Sequence, residues 1–588
     1  MKEFNLDNWE AKEETEGLLF FAQRAREMLF DYTLDTFKPS ALNTSLLCEE
    51  LLITIKQVEN ANIESNNLNA ILDELKWAFS KDPVAKTLIE GRQKDYIEDL
   101  DLNNRKELQT RIQLLYNKLR EEKYISACQL FLTKATQNAN EKKLIEQLSR
   151  QYITALIDFG YSQSYLYNKT REFFFGSNKI NSSSDIEEFF KFFPLSNVEY
   201  DLVFIGSPMF EQVKDSCEGF GIEILKKIDL PGLKKWSREF LDSKRPKQLY
   251  LKLNEINALD EQSAKEIAES RLTKISNLYA FYHHKKKLSW SNKAIICRSE
   301  NNKINILLSP TTAAITKGSD NRIDKAAKKL NLILRRMVEL EPDSFAKFNT
   351  VIDLHGIAIT NRDHENQLLN LWIGLETLVP SQPGKTKIHS VTECLVPFLK
   401  FKYLNRIIES IGKDLVRWNR PLIEEIVETI SGSKEFTDEA FFQLIALAEY
   451  EDQRRKIYQE LGSEILLRYR LFTFSQHFKS GKNLKSLIDN HEKKVIWQIR
   501  RVYRARNLIV HSGRHPRNIE TLIENLHTYL DTFLNHLVDM VVNDLQVTSI
   551  GQAIKEVKLL TEYHDRILTD NKGDIDDMSI FTPIINGR

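Results

Sequence analysis

The segment WQIRRVYRARNLIVHSGR, residues 497–514, is the part of the chain that most sharply defines its expected fold. Apolar residues recur at helical spacing in and just before it, which predicts an amphipathic helix with one buried face: Val495, Ile499, Val502 and Ile509. Gly513 stands where a residue in the left-handed conformation often closes a helix. The helix is therefore predicted to end at Gly513, with His511 in its last turn.

Positive charge is concentrated around this helix. The chain of 588 residues has 83 Lys and Arg against 83 Asp and Glu, so its formal net charge is zero. Near the segment, however, one acid, Glu492, faces eight basic residues: Lys493, Lys494, Arg500, Arg501, Arg504, Arg506, Arg514 and Arg517. A local excess of this kind suits the binding of phosphate groups.

Helix geometry separates two of these polar residues. Arg504, Asn507 and His511 follow one another at spacings of three and four, so they lie near one face of the helix. Arg506 and His511 are five apart and lie off a common line. Both can serve one site only if Arg506 reaches around the helix or if a second copy supplies the partner residue. The spacing therefore favours a site shared by two copies.

The motif resembles a known signature. Arg506-x4-His511, with Asn507 directly after the arginine, is similar to the signature of the HEPN superfamily of ribonucleases, and the longer match is to its Apea-like bacterial branch. An earlier segment, Asn370-Leu-Trp-Ile-Gly-Leu-Glu-Thr-Leu378, resembles a helix of the same branch. The resemblance covers about residues 345–545, and residues 257–268 look like a segment often found upstream in such proteins.

The resemblance implies metal-independent cleavage of RNA, in which the ribose 2′-OH attacks its own phosphate. His511 would take or hold the hydroxyl proton, and Arg506 would stabilise the charge that grows on the phosphate. Asn507 and Glu376 match the family's other polar positions. Members usually act as homodimers, and many are toxins or abortive-infection effectors against phage. We therefore expect an endoribonuclease without metal or cofactor, acting on tRNA or mRNA as a dimer or higher oligomer and triggered by a phage product.

Several interpretations stay open at this point. Glu376 could be catalytic, or it could pair with an arginine of the motif helix to neutralise a buried charge. RNA contact is predicted for four arginines: Arg500, Arg501, Arg504 and Arg514. The first three could instead form a solvated face or pair with acids such as Glu520 and Glu524. The main alternative function is a catalytically inactive HEPN module for dimerisation or RNA binding. A more remote one is a helical adaptor that docks an acidic protein.

The rest of the sequence predicts a mainly α, multidomain protein. Helical periodicity predicts helical regions at residues 1–180 and 320–545. The resemblance implies that the second region is a HEPN-type helical bundle. The N-terminal region and the middle domain are expected to sense or restrain, because more than half of the chain is not needed for the chemistry. A small α+β domain is predicted at residues 185–310, and a C-terminal tail at residues 546–588, loose after about Ile567.

The middle domain is predicted from alternating and β-branched runs. Four strands are expected at residues 200–206, 249–253, 294–297 and 304–308. Between the second and third strands, Asp260 is placed to cap a long helix that would pack on a short antiparallel sheet.

Composition excludes several other classes. With 20 Gly and 14 Pro, the chain is neither collagen-like nor of low complexity. Its five cysteines are scattered, which argues against a disulfide framework, a zinc ribbon or a redox dithiol. His355 and His364 have no Cys or His at zinc spacing, so no metal site is predicted. The N-terminus is acidic and no apolar run reaches 18 residues, so a cytoplasmic protein without a membrane partner is expected.

Overall fold

The computed structural model shows a mainly helical chain with one small antiparallel sheet, and the predicted mainly α class is confirmed. It describes the following residues: 6–10, 12, 14–30, 42–89, 93–98, 100, 102, 104–230, 233–298, 303–307, 315, 322–336, 339–361, 363–380, 384–543 and 547–586.

The chain divides into two compact units in a way that differs from the predicted division. One unit combines residues 1–155, 179–183 and 313–588, and the other holds residues 156–178 and 184–312. The predicted N-terminal region, 1–180, is therefore not a domain separate from the C-terminal bundle. Side chains of the two sequence regions pack together, as Trp77 does against Trp497 and Phe20 against Tyr469, and periodicity along the chain does not report such contacts.

The described residues of the N-terminal part of the chain form these helices: α1 (Glu16–Met28), α2 (Thr44–Glu59), α3 (Asn66–Lys81), α4 (Pro83–Leu88), α5 (Gln93–Ile97), α6 (Arg105–Lys118), α7 (Glu121–Ala135) and α8 (Lys142–Phe159). The buried carboxylate of Asp82 joins three of them. It caps α4 by accepting from the backbone N–H of Ala85, and it accepts from the hydroxyls of Thr44 and Tyr124, each at 2.7 Å. Burial raises the pKa of Asp82, because these hydrogen bonds only partly offset the loss of solvent.

The second unit is an α+β fold. Its elements are α9 (Gln163–Phe175), α10 (Ile186–Phe190), β1 (Val198–Gly206), α11 (Lys214–Glu218), β2 (Ile222–Leu225), α12 (Lys235–Asp242), β3 (Leu249–Ala258), α13 (Glu261–Tyr282), β4 (Ala294–Arg298) and β5 (Lys303–Leu307). The strand order is β2-β3-β1-β4-β5, and every pairing is antiparallel.

The predicted strands and helix of this unit are confirmed, and β2 is an addition. Leu202 of β1 lies opposite Leu253 of β3 and Ile296 of β4, which places these side chains in one apolar layer with α13. Asp260 caps α13 by accepting from the backbone N–H groups of Gln262 and Ser263. β2 escaped prediction because its four residues are too few to show a clear alternation.

The remaining helices complete the first unit: α14 (Ile323–Arg336), α15 (Pro342–Thr360), α16 (His364–Leu378), α17 (Lys387–Phe401), α18 (Tyr403–Trp418), α19 (Arg420–Ser431), α20 (Asp438–Ala446), α21 (Glu451–Glu460), α22 (Ile465–Phe478), α23 (Gly481–Ser512), α24 (Ile519–Asn543), α25 (Ile550–Asp570) and α26 (Thr582–Asn586). They enclose two hydrophobic cores. The helix α23 joins both, since Leu484 and Ile488 belong to one core and Val495, Ile499 and Val502 to the other.

The described residues of the predicted C-terminal tail, 547–586, are packed, including the part after Ile567 that was predicted to be loose. Val557 of α25 lies in the core that holds the end of α23, and Leu568 lies in the other core. Phe581 and Ile585 are also buried. The prediction followed from Asp570, Asp574, Asp576 and Asp577, but the apolar side chains near these aspartates are buried.

The long helices of the bundle are amphipathic, and charged side chains interrupt their apolar faces. Among the described residues, no helix is both long enough and apolar enough to cross a membrane.

Candidate functional site

The motif lies at the carboxyl end of α23, as the sequence predicts. Ser480 caps the start of this 32-residue helix by accepting from the backbone N–H of Asn483. Gly513 closes it in the left-handed conformation, with φ of 62°, and its N–H donates to the carbonyl of Ile509 at 2.9 Å. His511 therefore lies in the last turn, next to a turn that glycine adopts without strain.

Arg506 and Asn507 form a connected pair. Nη1 of Arg506 donates to Oδ1 of the buried Asn507 at 2.9 Å. Nε of Arg506 is buried and makes no hydrogen bond with any described residue. The guanidinium is thus held by Asn507, and one of its N–H groups is buried without a partner among the described residues.

His511 is exposed at the end of the helix. Within the described part of the chain, its ring makes no hydrogen bond or ion pair with another side chain. At about 100° of rotation per helical residue, His511 and Arg506 project about 140° apart around the axis of α23. One copy of the helix therefore separates the two groups that the resemblance assigns to one reaction.

Two of the predicted RNA-binding arginines are buried instead. Arg501 and Arg504 are both less than 6% exposed and point toward the N-terminal helices. Nε of Arg501 lies 3.0 Å from Oε2 of Glu50, its Nη2 lies 2.5 Å from Oε2 of Glu74, and Nη2 of Arg504 lies 2.6 Å from Oε1 of Glu50. The prediction that these two arginines contact RNA is wrong for this conformation, because their charges are neutralised inside the protein.

The buried surroundings and the ion pairs shift the pKa values of Glu50 and Glu74. Burial opposes the charge on Glu50, but the charges and hydrogen bonds of Arg501 and Arg504 outweigh burial and lower the pKa of Glu50 below its ordinary value. Burial raises the pKa of Glu74, and the charge of Arg501 only partly offsets it. Glu50 is therefore the acid that contacts both arginines, and Glu74 is a second acidic partner of Arg501.

Arg500 and Arg514 remain accessible. Arg500 is half-buried and Arg514 is exposed, and neither forms an ion pair with a described residue. Arg517, which the sequence left unassigned, pairs with Glu121 of α7 at 3.1 Å. The cationic surface at this end of α23 is therefore smaller than the sequence suggests.

Glu376 has partners on its own side of the bundle. Its Oε1 accepts from the indole N–H of Trp372 at 2.8 Å, and its Oε2 lies 3.4 Å from Nζ of Lys387. The expectation that it pairs with an arginine of the motif helix is wrong.

The direction of α16 also removes Glu376 from the motif. Glu365, at the start of α16, lies 3.4 Å from His515, just beyond α23, whereas Trp372 packs against Tyr503 with ring centroids 5.7 Å apart. The two helices therefore run antiparallel. Tyr503 precedes the motif histidine by about 12 Å along the axis, and Glu376 lies a further turn away. Within one chain, the structure does not bring Glu376 to the site.

Sequence reasoning missed two histidine–acid pairs beside the motif. His515 faces Glu365, and His364 lies 3.9 Å from Glu520. No sequence pattern marks them, because each joins segments that become neighbours only when α16 and α24 pack beside the end of α23.

Comparison with known proteins finds no matching family model, no similar curated protein and no similar solved structure. The HEPN resemblance therefore depends on the motif residues themselves.

Proposed function

We propose that this chain is a metal-independent endoribonuclease of the HEPN type whose site forms where two copies of α23 meet. The proposal is supported by the surroundings of Arg506 and His511 at the end of α23. Arg506 is held by Asn507 and keeps a buried Nε–H without a partner among the described residues, and His511 lies exposed in the last turn. These are the two groups that cleavage by an internal hydroxyl requires.

The reaction needs a base and a cationic group at one phosphate. The imidazole of His511 takes the proton as the ribose 2′-oxygen bonds to phosphorus, and the bond from phosphorus to the 5′-oxygen breaks. The leaving 5′-oxygen takes a proton from solvent water and the imidazolium returns its proton to solvent, which gives a 2′,3′-cyclic phosphate and a 5′-hydroxyl. Arg506 donates to the non-bridging oxygens as negative charge accumulates on them.

A second copy of the chain could bring an arginine and a histidine of the motif together. Arg506 of one copy can meet His511 of the other when two helix ends face each other across a twofold axis. Val510, between them on the helix, is 50% exposed and offers apolar surface for such a contact. The accessible Arg500 and Arg514 would bind the flanking phosphates of the RNA, with tRNA or mRNA as the substrate class.

The N-terminal helices would restrain the motif helix α23 or sense the activating signal. Glu50 and Glu74 fix the middle of α23 through buried ion pairs. A change in α2 or α3 would therefore reach the helix that carries the motif, which suits an anti-phage toxin that stays inactive until a phage product acts on it.

The deciding experiment measures RNA cleavage by the full chain in EDTA. Arg506→Ala and His511→Ala should each lower the cleavage rate by at least about 100-fold, because each removes a group that acts only in the transition state. Matched controls are Arg455→Gln and His389→Gln. Both residues lie on helices other than α23, and each pairs at the surface with an acid four residues away on its own helix. Both controls should cleave like the wild type.

Two results would argue against the proposal. Cleavage that survives in both alanine variants would remove the site from the motif. RNA binding without cleavage under any condition would favour the inactive dimerisation or RNA-binding module.

A further inference from the structure

Two histidines and one aspartate meet between α15 and α24. Nε2 of His355 lies 2.9 Å from Nε2 of His527, and the rings stack with centroids 5.0 Å apart. The carboxylate of Asp531 lies 3.3 Å from the first nitrogen and 3.4 Å from the second. Three metal-ligating groups thus point to one place.

We propose that His355, His527 and Asp531 bind a divalent first-row transition metal ion such as Zn²⁺. Oδ1 of Asp531 faces His355 and Oδ2 faces His527, and one ligand atom from each of the three residues can be chosen so that all lie within 4.8 Å of one another. Ligand atoms this close can share one Zn²⁺ ion, which binds imidazole nitrogen and carboxylate oxygen at about 2 Å.

Two of the three proposed ligands lie close together in the sequence. His527 and Asp531 are four residues apart on α24, so they lie on one face of that helix. His355 comes from α15, 172 residues earlier in the chain than His527. Spacing along the sequence predicts no metal site at His355 for this reason, since its partners become neighbours only after folding.

The ligand set favours a transition metal. Imidazole nitrogens suit Zn²⁺ and its first-row neighbours, whereas Mg²⁺ and Ca²⁺ prefer sites built from oxygen. Three protein ligands leave a tetrahedral ion one open position for water. The side chain of Asp531 is 42% exposed, so solvent and an incoming ion can reach the cluster.

A hydrogen-bonded cluster without metal is the competing explanation. One imidazole can donate its Nε2–H to the lone pair of the other, with Asp531 alongside. This arrangement and a metal site make opposite predictions for Zn²⁺ binding.

The test titrates Zn²⁺ into the full chain after chelator treatment and dialysis, with calorimetry as the readout. The wild type should bind one Zn²⁺ per chain and should bind Mg²⁺ far more weakly. His355→Gln, His527→Gln and Asp531→Asn should each weaken Zn²⁺ binding by at least about tenfold. His364→Gln, which changes another half-exposed histidine beside an acid of α24, should bind Zn²⁺ like the wild type.

Two outcomes would overturn the metal site. One is a wild-type chain that binds Zn²⁺ no more tightly than Mg²⁺, and the other is Zn²⁺ affinity that none of the three ligand variants reduces. Because Asp531 is partly exposed, Asp531→Asn should fold normally by circular dichroism and keeps the test decisive. RNA takes no part in the titration, so its result is independent of the ribonuclease proposal.

Discussion

One carboxylate, Glu50, contacts two buried arginines of the motif helix. Arg501 and Arg504 both contact it, and Glu74 contacts Arg501 from the other side. Ion pairs in the interior give little net stability, because desolvation offsets much of their attraction, but removal of one partner leaves an uncompensated charge. The residues that the sequence presents as a cationic surface therefore join two parts of the chain.

Replacement of Glu50 by Gln should lower the free energy of unfolding by about 3 kcal/mol at pH 7, because Arg504 then loses its acidic partner. The folded pKa of Glu50 lies below its ordinary value of 4.5, so its contribution is complete above pH 4.5 and is lost as the pH falls through the folded pKa. The difference between wild type and Glu50→Gln should shrink in that acidic range. Urea unfolding at several pH values measures it.

The control for this prediction is Glu425→Gln. Glu425 pairs with Lys456 on the surface and its side chain is 65% exposed, so the variant should lose less than about 1 kcal/mol. Equal losses for the two variants would contradict the role given to Glu50. If the N-terminal helices restrain the site, Glu50→Gln should also cleave RNA faster than the wild type at a temperature at which both are folded.

At the scale of elements, α23 positions the motif through its length and its end. Its first turns pack in one core and its last turns in the other, so the helix end is held by the whole bundle. Gly513 then stops the helix two residues after His511, with nothing within 4 Å of the place where a side chain would begin.

Gly513→Ala should lower the free energy of unfolding by about 1 kcal/mol, because alanine resists a φ of 62°. Gly432→Ala is a matched control. Gly432 closes α19 with φ of 69° and is also open on its side-chain face. Chemical unfolding should show similar losses for both variants, whereas only Gly513→Ala should slow RNA cleavage. Equal cleavage by the two variants would mean that the helix end does not position His511.

At the scale of the molecule, the question is whether one chain holds a complete site. Arg506 and His511 project to different sides of α23, and Glu376 lies beyond reach along α16. The chain thus presents two half-sites of different composition. A dimer with twofold symmetry would bring each half-site to its complement.

Mixing Arg506→Ala with His511→Ala tests this arrangement. If a site takes its arginine and its histidine from different copies, each mixed dimer contains one intact site, and the mixture should regain up to about a quarter of wild-type cleavage after subunit exchange. If both groups come from the same copy, the mixture stays as inactive as its components. Cleavage of labelled RNA before and after exchange distinguishes the two results.

Much of the local structure could be predicted from the sequence. The cap at Gly513, the cap at Asp260 and four of the five strands follow from hydrophobic periodicity and from residues with strong backbone preferences. These signals depend on residues a few positions apart along the chain, so they can be recognised without knowledge of the tertiary fold.

Contacts between segments far apart in the sequence could not be predicted and became known only from the tertiary structure. The sequence by itself determined which helix carries the arginine and the histidine. Only the fold decided that Arg501 lies buried against Glu74, that Glu376 faces Lys387, and that His355 meets its partners on α24. The reason is physical: periodicity shows which face of a helix is apolar, whereas the partner of a buried charge depends on how helices far apart in sequence pack together.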